Sequence, residues 1–321
     1  MNQANNVTRI HAGVDVSKKT LDCWKPATKN KGGAHRSFDN DGKGIRSLLG
    51  WLPKGGHVVL ESTGPYGELL VLMCHDLAVP VSVVNPNSVR DLARAHGQRA
   101  KTDKIDAELI ARFADAVQPE PLPRPTKAQM ALRSHIDLRE SLVQERAAHR
   151  CRLAEERNPA VRQHLQETIA HHSRTIAALE KQIDSLIASC PRMTAMRGEL
   201  RTIPGIGPVI SATLAALLPE LGSLSRKQVA ALCGLAPYAR DSGARKGKRY
   251  IFGGRAKLRR CLYLGAVSAV RSRRTPLAAQ HKAMLARGKE KKVSLIALAR
   301  KLAIRANTLC KPFTSIPHAN H

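Results

Sequence analysis

Acidic residues are scarce in this chain, and the scarcity is local. Residues 196–321 hold 25 basic residues and only 4 acidic ones, whereas residues 1–195 hold 28 and 21. Of a formal net charge of +28, +21 therefore falls in the last 126 residues. That excludes the profile of an acidic small-molecule enzyme and points to a polyanion, nucleic acid first, held mainly by the C-terminal region. The seven cysteines (Cys23, Cys74, Cys151, Cys190, Cys233, Cys261, Cys310) are odd in number and form no CxxC pair. A zinc ribbon or disulfide scaffold is not expected, and reduced thiols in a cytoplasm are. No stretch approaches the ~20 apolar residues that span a bilayer, so no membrane partner is expected. The opening MNQANNVTRIHAGVDV has no basic head followed by a long apolar run, so no signal peptide is visible.

What is present divides the 321 residues into three. Residues 1–118 read as an α/β domain. VTRIHAGVDVS (7–17), LDCWKP (21–26), HVVLES (57–62) and VPVSVV (79–84) are strand candidates, the first two as a hairpin. GELLVLMCHDL (67–77), Asn87 to Ala95 and Asp103 to Ala116 are helix candidates. Prolines at 119, 121, 123 and 125 then predict an extended linker. Residues 119–195 form this linker and a helical arm, split at Asn158-Pro159 and ended by Pro191. In its second helix Leu165, Ile169, His172, Ile176, Leu179, Ile183 and Leu186 draw a narrow seam. A coiled-coil dimerisation arm and an internal antiparallel hairpin would both use it. Residues 196–321 form the basic, mostly helical domain, with a helix expected after the 204–207 turn within 200–221 and others at about 225–233, 258–270 and 293–306.

Four carboxylates stand out in the first domain. Asp15 lies inside the first apolar strand, and Glu61 ends the HVVL strand, where open α/β sheets place their chemistry. Asp103 and Asp106, three apart in KTDKID, share a helical face. A lone strand aspartate is ordinarily edge polarity, and Asp103 would equally serve as an N-cap with Asp106 in the first turn. Taken together, the four are a set of hard oxygen donors suited to magnesium or manganese and to phosphodiester chemistry. Lys101 and Lys104 beside the pair would attract a phosphate backbone.

In the basic domain, IPGIGP (203–208) matches a helix-hairpin-helix type of turn. Gly205 and Gly207 would let backbone N–H groups approach a phosphate at a helix N-terminus, and a plain tight turn between packed helices is the alternative. From Arg240 to Arg260 there are nine basic residues and one acid, Asp241. Arg245, Lys246, Lys248 and Arg249 read as phosphate contacts. Ser242 in this stretch is a candidate nucleophile, with Tyr66, Tyr238, Tyr250 and Tyr263 as rivals.

GVDVSK (13–18), ESTGPYG (61–67), VNPNSVRDLARAHGQRAKTDKIDAELIARF (84–113), IPGIGP (203–208) and CGLAPYARDSG (233–243) resemble the DEDD transposases of bacterial insertion sequences. The resemblance covers nearly the whole chain. It implies an RNase H-like (RuvC-like) N-terminal domain whose acidic tetrad is Asp15, Glu61, Asp103 and Asp106, binding magnesium. It implies that Ser242 attacks DNA and forms a covalent phosphoserine link, in a composite site shared between subunits. It further implies donor and target double-stranded DNA, a non-coding bridge RNA, and a homo-oligomer, dimeric or tetrameric in a synaptic complex. The competing readings are a RuvC-like structure-selective endonuclease, which needs no covalent serine, and a non-catalytic architectural nucleic-acid-binding protein.

Overall fold

Ile10–Val16 (β1) is buried on both faces, as a central strand covered by helices on either side must be. A computed structural model describes residues 10–26, 33–62, 64–95, 103–238, 247, 249–272 and 275–313, with residues 103 and 104 described through their backbone. The chain divides into two compact units, Met1–Arg124 and Pro125–His321.

In the first unit β1 turns into Thr20–Lys25 (β2), and the Ser17 hydroxyl accepts the Thr20 N–H at 2.9 Å within that turn. Ala34–Asp39 (β3) extends the meander. Gly42–Trp51 (α1) follows, its N-terminus capped by the Asp41 carboxylate on the N–H groups of Lys43 and Gly44. Gly56–Glu61 (β4) returns parallel to β1. Glu68–Asp76 (α2), Val81–Val84 (β5), Pro86–Ala95 (α3) and Asp103–Val117 (α4) complete the unit. The sheet order is β3-β2-β1-β4-β5, antiparallel through β3, β2 and β1 and parallel through β1, β4 and β5. One face packs Val14, Leu21, Leu60 and Val81 with Ile45, Leu48 and Leu70. The other packs Val59 and Val84 with Val89, Ile110 and Phe113. This is a mixed α/β, RNase H-like sheet with flanking helices.

Every strand and helix expected in residues 1–118 is present, together with β3 and α1, which were not expected. The proline-rich segment is extended, and it is not a loose tether. The Leu122 N–H donates to the Val81 carbonyl at 2.8 Å, so the segment covers the open edge of β5. A buried polar chain fastens it: the Ser82 hydroxyl donates to the Glu120 carbonyl at 2.8 Å, and His57 Nε2 lies 2.9 Å from Ser82 Oγ. Because the serine proton is already used, His57 Nε2 is the donor in that contact.

The second unit opens with Lys127–Glu155 (α5), started by a Thr126–Gln129 capping box, and Pro159–Ala188 (α6), started by Asn158 with Pro159 in the first turn. The two helices pack on each other as a hairpin, tied by Arg139 to Glu180 at 2.6 and 2.8 Å. The seam residues Ile176, Leu179 and Ile183 are buried within the chain, and Ile183 joins Leu132, Ile136 and Ala212 in one cluster. The internal hairpin is thus realised along this seam. Pro191–Arg201 (α7), Pro208–Leu217 (α8) and Arg226–Leu232 (α9) follow. Pro191 both ends the arm and starts α7, since proline is as suited to a first helical turn as it is hostile to an interior. Pro237–Tyr238 (β6) and Tyr250–Ile251 (β7) form a two-stranded ribbon. Ala256–Arg271 (α10), Pro276–Ala286 (α11) and Lys291–Leu309 (α12) close the unit around Leu200, Leu214, Leu262, Leu298 and Leu302. The unit is largely helical, as the composition of residues 196–321 suggested.

Candidate nucleic-acid active site

Register brings the strand carboxylates together. Val14 pairs with Leu60 at the end of the parallel ladder between β1 and β4, and Asp15 and Glu61 each stand one residue further on. Side chains alternate along a strand, so Asp15 shares the face of Gly13, and Glu61 that of Val59 and of its partner Val84. That is the face covered by α3 and α4. Gly13 is there because α4 runs against it: a Cβ at this position would collide with the Ala107 carbonyl oxygen and stand 2.5 Å from the Ala111 nitrogen.

The helix runs antiparallel to β1. Gln118, just past the end of α4, places its Oε1 3.0 Å from His11 Nε2 near the start of β1. The first turn of α4, with Asp103 and Asp106, is therefore directed toward the Asp15 end of the strand. Asp15, Glu61 and Asp106 are half-buried. The Asp103 and Lys104 side chains, and all of Lys101, lie outside the described residues. Among the described residues no group of three or more His, Cys, Asp or Glu side chains is assembled into a metal-holding cluster. The chemistry of the donors still fits a hard divalent cation, since each is a carboxylate and none is a thiolate or imidazole.

A further carboxylate on this face is one that the sequence alone does not single out. Asp22 on β2 is the direct cross-strand partner of Asp15. Two carboxylates in that relation repel. The Ser37 hydroxyl donates to Asp22, and His35 Nε2 lies 3.2 Å from its carboxylate, both from β3. Its only sequence signal was the alternation of TLDCWK in an expected hairpin. Five of the seven cysteines are held as poor nucleophiles. Burial pushes the Cys23, Cys74, Cys233, Cys261 and Cys310 thiols up to about 12, and no cysteine is in a disulfide.

In the second unit Ser242, Arg245, Lys246 and Lys248 lie outside the described residues. Tyr238 and Tyr250 pair across the ribbon, whose two strands meet the fold at one base. Gly234 and Gly254 lock that base onto α9. Both have left-handed φ, of 62° and 64°, and each lies where a Cβ would strike backbone of the other glycine segment. The Arg255 N–H donates to the Leu232 carbonyl at 2.7 Å, and Arg259 Nη1 to the Gly253 carbonyl at 2.6 Å.

Among the described residues of this basic stretch, several have internal partners. Arg255 pairs bidentately with Glu220 at 2.6 and 2.8 Å, Lys257 with Asp137 at 2.5 Å, Arg260 with Glu140, and Arg259 with Gly253. Arg249 is exposed. In the IPGIGP turn, Gly205 has φ of 92°, and a Cβ there would meet the Gly265 backbone of α10. That gives it a packing reason of its own. Gly207, the N-cap of α8, has open space where a Cβ would be.

Comparison with known proteins agrees with both halves of this layout. A transposase profile of the DEDD, IS110 type matches residues 12–156, and one described as "Transposase IS116/IS110/IS902 family" matches residues 198–282. The pilin gene-inverting proteins of Moraxella bovis and Moraxella lacunata are each 31% identical over 321 residues, covering 92% of this chain and 94% of the relative. An RNase H-like unit with acids at its strand ends, a basic helical unit, and likeness across nearly the full length leave one conclusion: the chain belongs to the IS110/IS116 family of transposases and recombinases.

Proposed function

We propose that this chain excises, inserts or inverts a DNA segment by cutting strands and rejoining them through a covalent link to Ser242, with Asp15, Glu61, Asp103 and Asp106 as the acidic half of the site. The observation that carries the reading is the placement of Asp15 and Glu61 side by side at the ends of parallel strands, on the sheet face that α4 covers. The relatives supply the argument for rejoining. Their name describes inversion of a gene, and an inverted segment must be resealed at both ends. A hydrolase, the endonuclease alternative, would leave those ends broken.

In this mechanism the serine oxygen attacks the phosphorus, the new phosphoserine bond forms as the bond to the leaving strand breaks, and the serine proton ends on the leaving oxygen. Joining is the reverse, with the hydroxyl of the incoming strand displacing the serine. The energy of the phosphodiester is kept in the protein–DNA bond, so no external energy source is needed. Asp15, Glu61, Asp103 and Asp106 would hold magnesium, or manganese, which when bound supplies charge for the phosphoryl oxygens and acidifies the attacking hydroxyl. The carboxylates themselves orient the phosphate by setting where the cation sits, and exclude a second anion from the space between β1, β4 and α4.

The basic C-terminal region would hold donor and target DNA, and the family likeness adds a bridge RNA and a homo-oligomer as partners. Oligomerisation would use a face of the arm other than the seam that α5 already fills. Asp15→Asn should abolish recombination of a plasmid-borne element, by at least about 100-fold, while DNA binding and the melting curve stay near those of the unmodified protein. Unimpaired recombination by this variant would remove the acidic site from the mechanism.

A further inference from the structure

Aromatic residues are few here: two Trp, four Tyr and four Phe in 321 residues. Three of them, Tyr238, Tyr250 and Phe252, fall on the ribbon and are 39, 53 and 46% exposed. Their common face follows from register. Tyr238 and Tyr250 are direct antiparallel partners, so both project to the same side. Phe252 is two residues beyond Tyr250 and returns to that side, where its ring centroid lies 4.2 Å from that of Tyr238 at an interplanar angle of 40°. Ile251, between them, points the other way and is half-buried. The base of the ribbon is fixed by the Gly234 and Gly254 contacts and by Arg259, so the rings stand on a rigid mount.

A contiguous exposed aromatic face on an otherwise aromatic-poor protein marks an interaction site. The charge of the region selects the occupant: residues 196–321 hold 25 basic residues to 4 acidic ones. Flat rings in a cationic field suit a strand whose bases are unpaired: the base stacks on the ring while its phosphate meets arginine or lysine. Duplex DNA keeps its base faces covered by neighbouring pairs and offers the rings nothing to stack on.

We propose that Tyr238, Tyr250 and Phe252 form a stacking platform for unpaired DNA bases. That such bases arise rests on the strand-exchange reading above, in which bases next to the cut must leave their old partners before they find new ones. The stacking itself does not depend on cleavage, and the test is arranged accordingly.

Full-length protein in chelator, where no strand is cut, is titrated with an oligothymidylate of about 12 nucleotides, a duplex of equal length and an oligouridylate. Tyr238→Ala and Phe252→Ala should each weaken oligothymidylate binding about tenfold and leave duplex binding within about twofold, with the salt dependence unchanged because every phosphate-binding side chain is still in place. Phe252→Trp and Tyr238→Phe should retain the affinity. A 2-aminopurine placed in the strand should lose fluorescence on binding the unmodified protein and Phe252→Trp, and keep it with Phe252→Ala. Equal losses on single strand and duplex, no loss at all, or failure of Phe252→Trp to retain binding would overturn the platform. A larger loss on oligouridylate than on oligothymidylate would overturn DNA as its occupant. Normal stacking by a Ser242→Ala protein that cannot cut would leave the platform standing, so the two readings fail separately.

Discussion

Asp115 lies in the last turn of α4, on the helix that carries the acidic pair. Partial burial raises its pKa above the ordinary carboxyl value of 3.8, with His11 opposing the shift. A carboxyl whose folded pKa exceeds its unfolded one stabilises the fold while protonated, below the unfolded value, and that contribution is lost as pH rises through the folded value. Asp115→Asn removes the charge at every pH. It should therefore melt higher than the unmodified protein at neutral pH, with the gap closing by about pH 3. Thermal melts across that range check this, and a gap that persists unchanged in acid would contradict it. At this scale the sequence was legible where a residue type is rare in its setting. Asp15 in an apolar strand and Glu61 at a strand end stand out by themselves. Asp22 does not, because what sets it apart is that it faces Asp15 across a hairpin and accepts from the Ser37 hydroxyl. Gly13 is visible in the sequence only as a neighbour of Asp15, since its reason is the backbone of a distant helix, at Ala107 and Ala111. The case for Ser242 as nucleophile comes from the family likeness, and its own surroundings lie outside the described residues.

The arm shows what an element gains from its partner. Ile183 sits in one cluster with Leu132 and Ile136 of α5 and Ala212 of α8, so it anchors the hairpin to the body of its own unit. Ile183→Ala should cost about 3 kcal/mol by leaving a cavity there, visible as an earlier urea transition. Sedimentation should report the same association state as for the unmodified protein. A variant that keeps its stability and loses self-association would return the seam to an interface between subunits. The seam's spacing was readable; which helix fills it was not, because a narrow apolar stripe is the same for an internal and an external neighbour. Strands and helices with strong patterns were found close to their observed ends, including β1, β4, α4 and α6. The misses have physical reasons. β3 is an edge strand that buries only Phe38, so it has almost no alternation to detect. α1 contains three glycines and takes its start from Asp41. The proline-rich segment was expected as a linker, and its bond to Val81 and its hold on Ser82 depend on the edge of a sheet that no local pattern reveals.

For the whole molecule, charge and fold divide the labour between the two units. Asp15 and Glu61 stand at the strand ends of the first, and residues 196–321 carry +21 of the +28 net charge. Arg255, Lys257, Arg259 and Arg260 are engaged internally, and Arg245, Lys248 and Arg249 are proposed as phosphate contacts on the charge of the sequence alone. Replacing these three with alanine should flatten the slope of log affinity against log salt by about 0.9 for each duplex phosphate that is no longer neutralised. An unchanged slope would take the patch out of the backbone-binding surface. The central claim is that cutting and joining share one covalent protein–DNA intermediate, and a denaturing gel addresses it most directly. Unmodified protein is incubated with labelled DNA designed to trap a cleaved strand, with and without chelator, beside the Ser242→Ala variant. The account predicts a protein band shifted by covalently attached DNA, present with the unmodified protein and divalent metal and absent in chelator and with the alanine variant. Efficient strand joining by Ser242→Ala, with no covalent band from either protein, would contradict it and assign the attack to water or to a DNA hydroxyl.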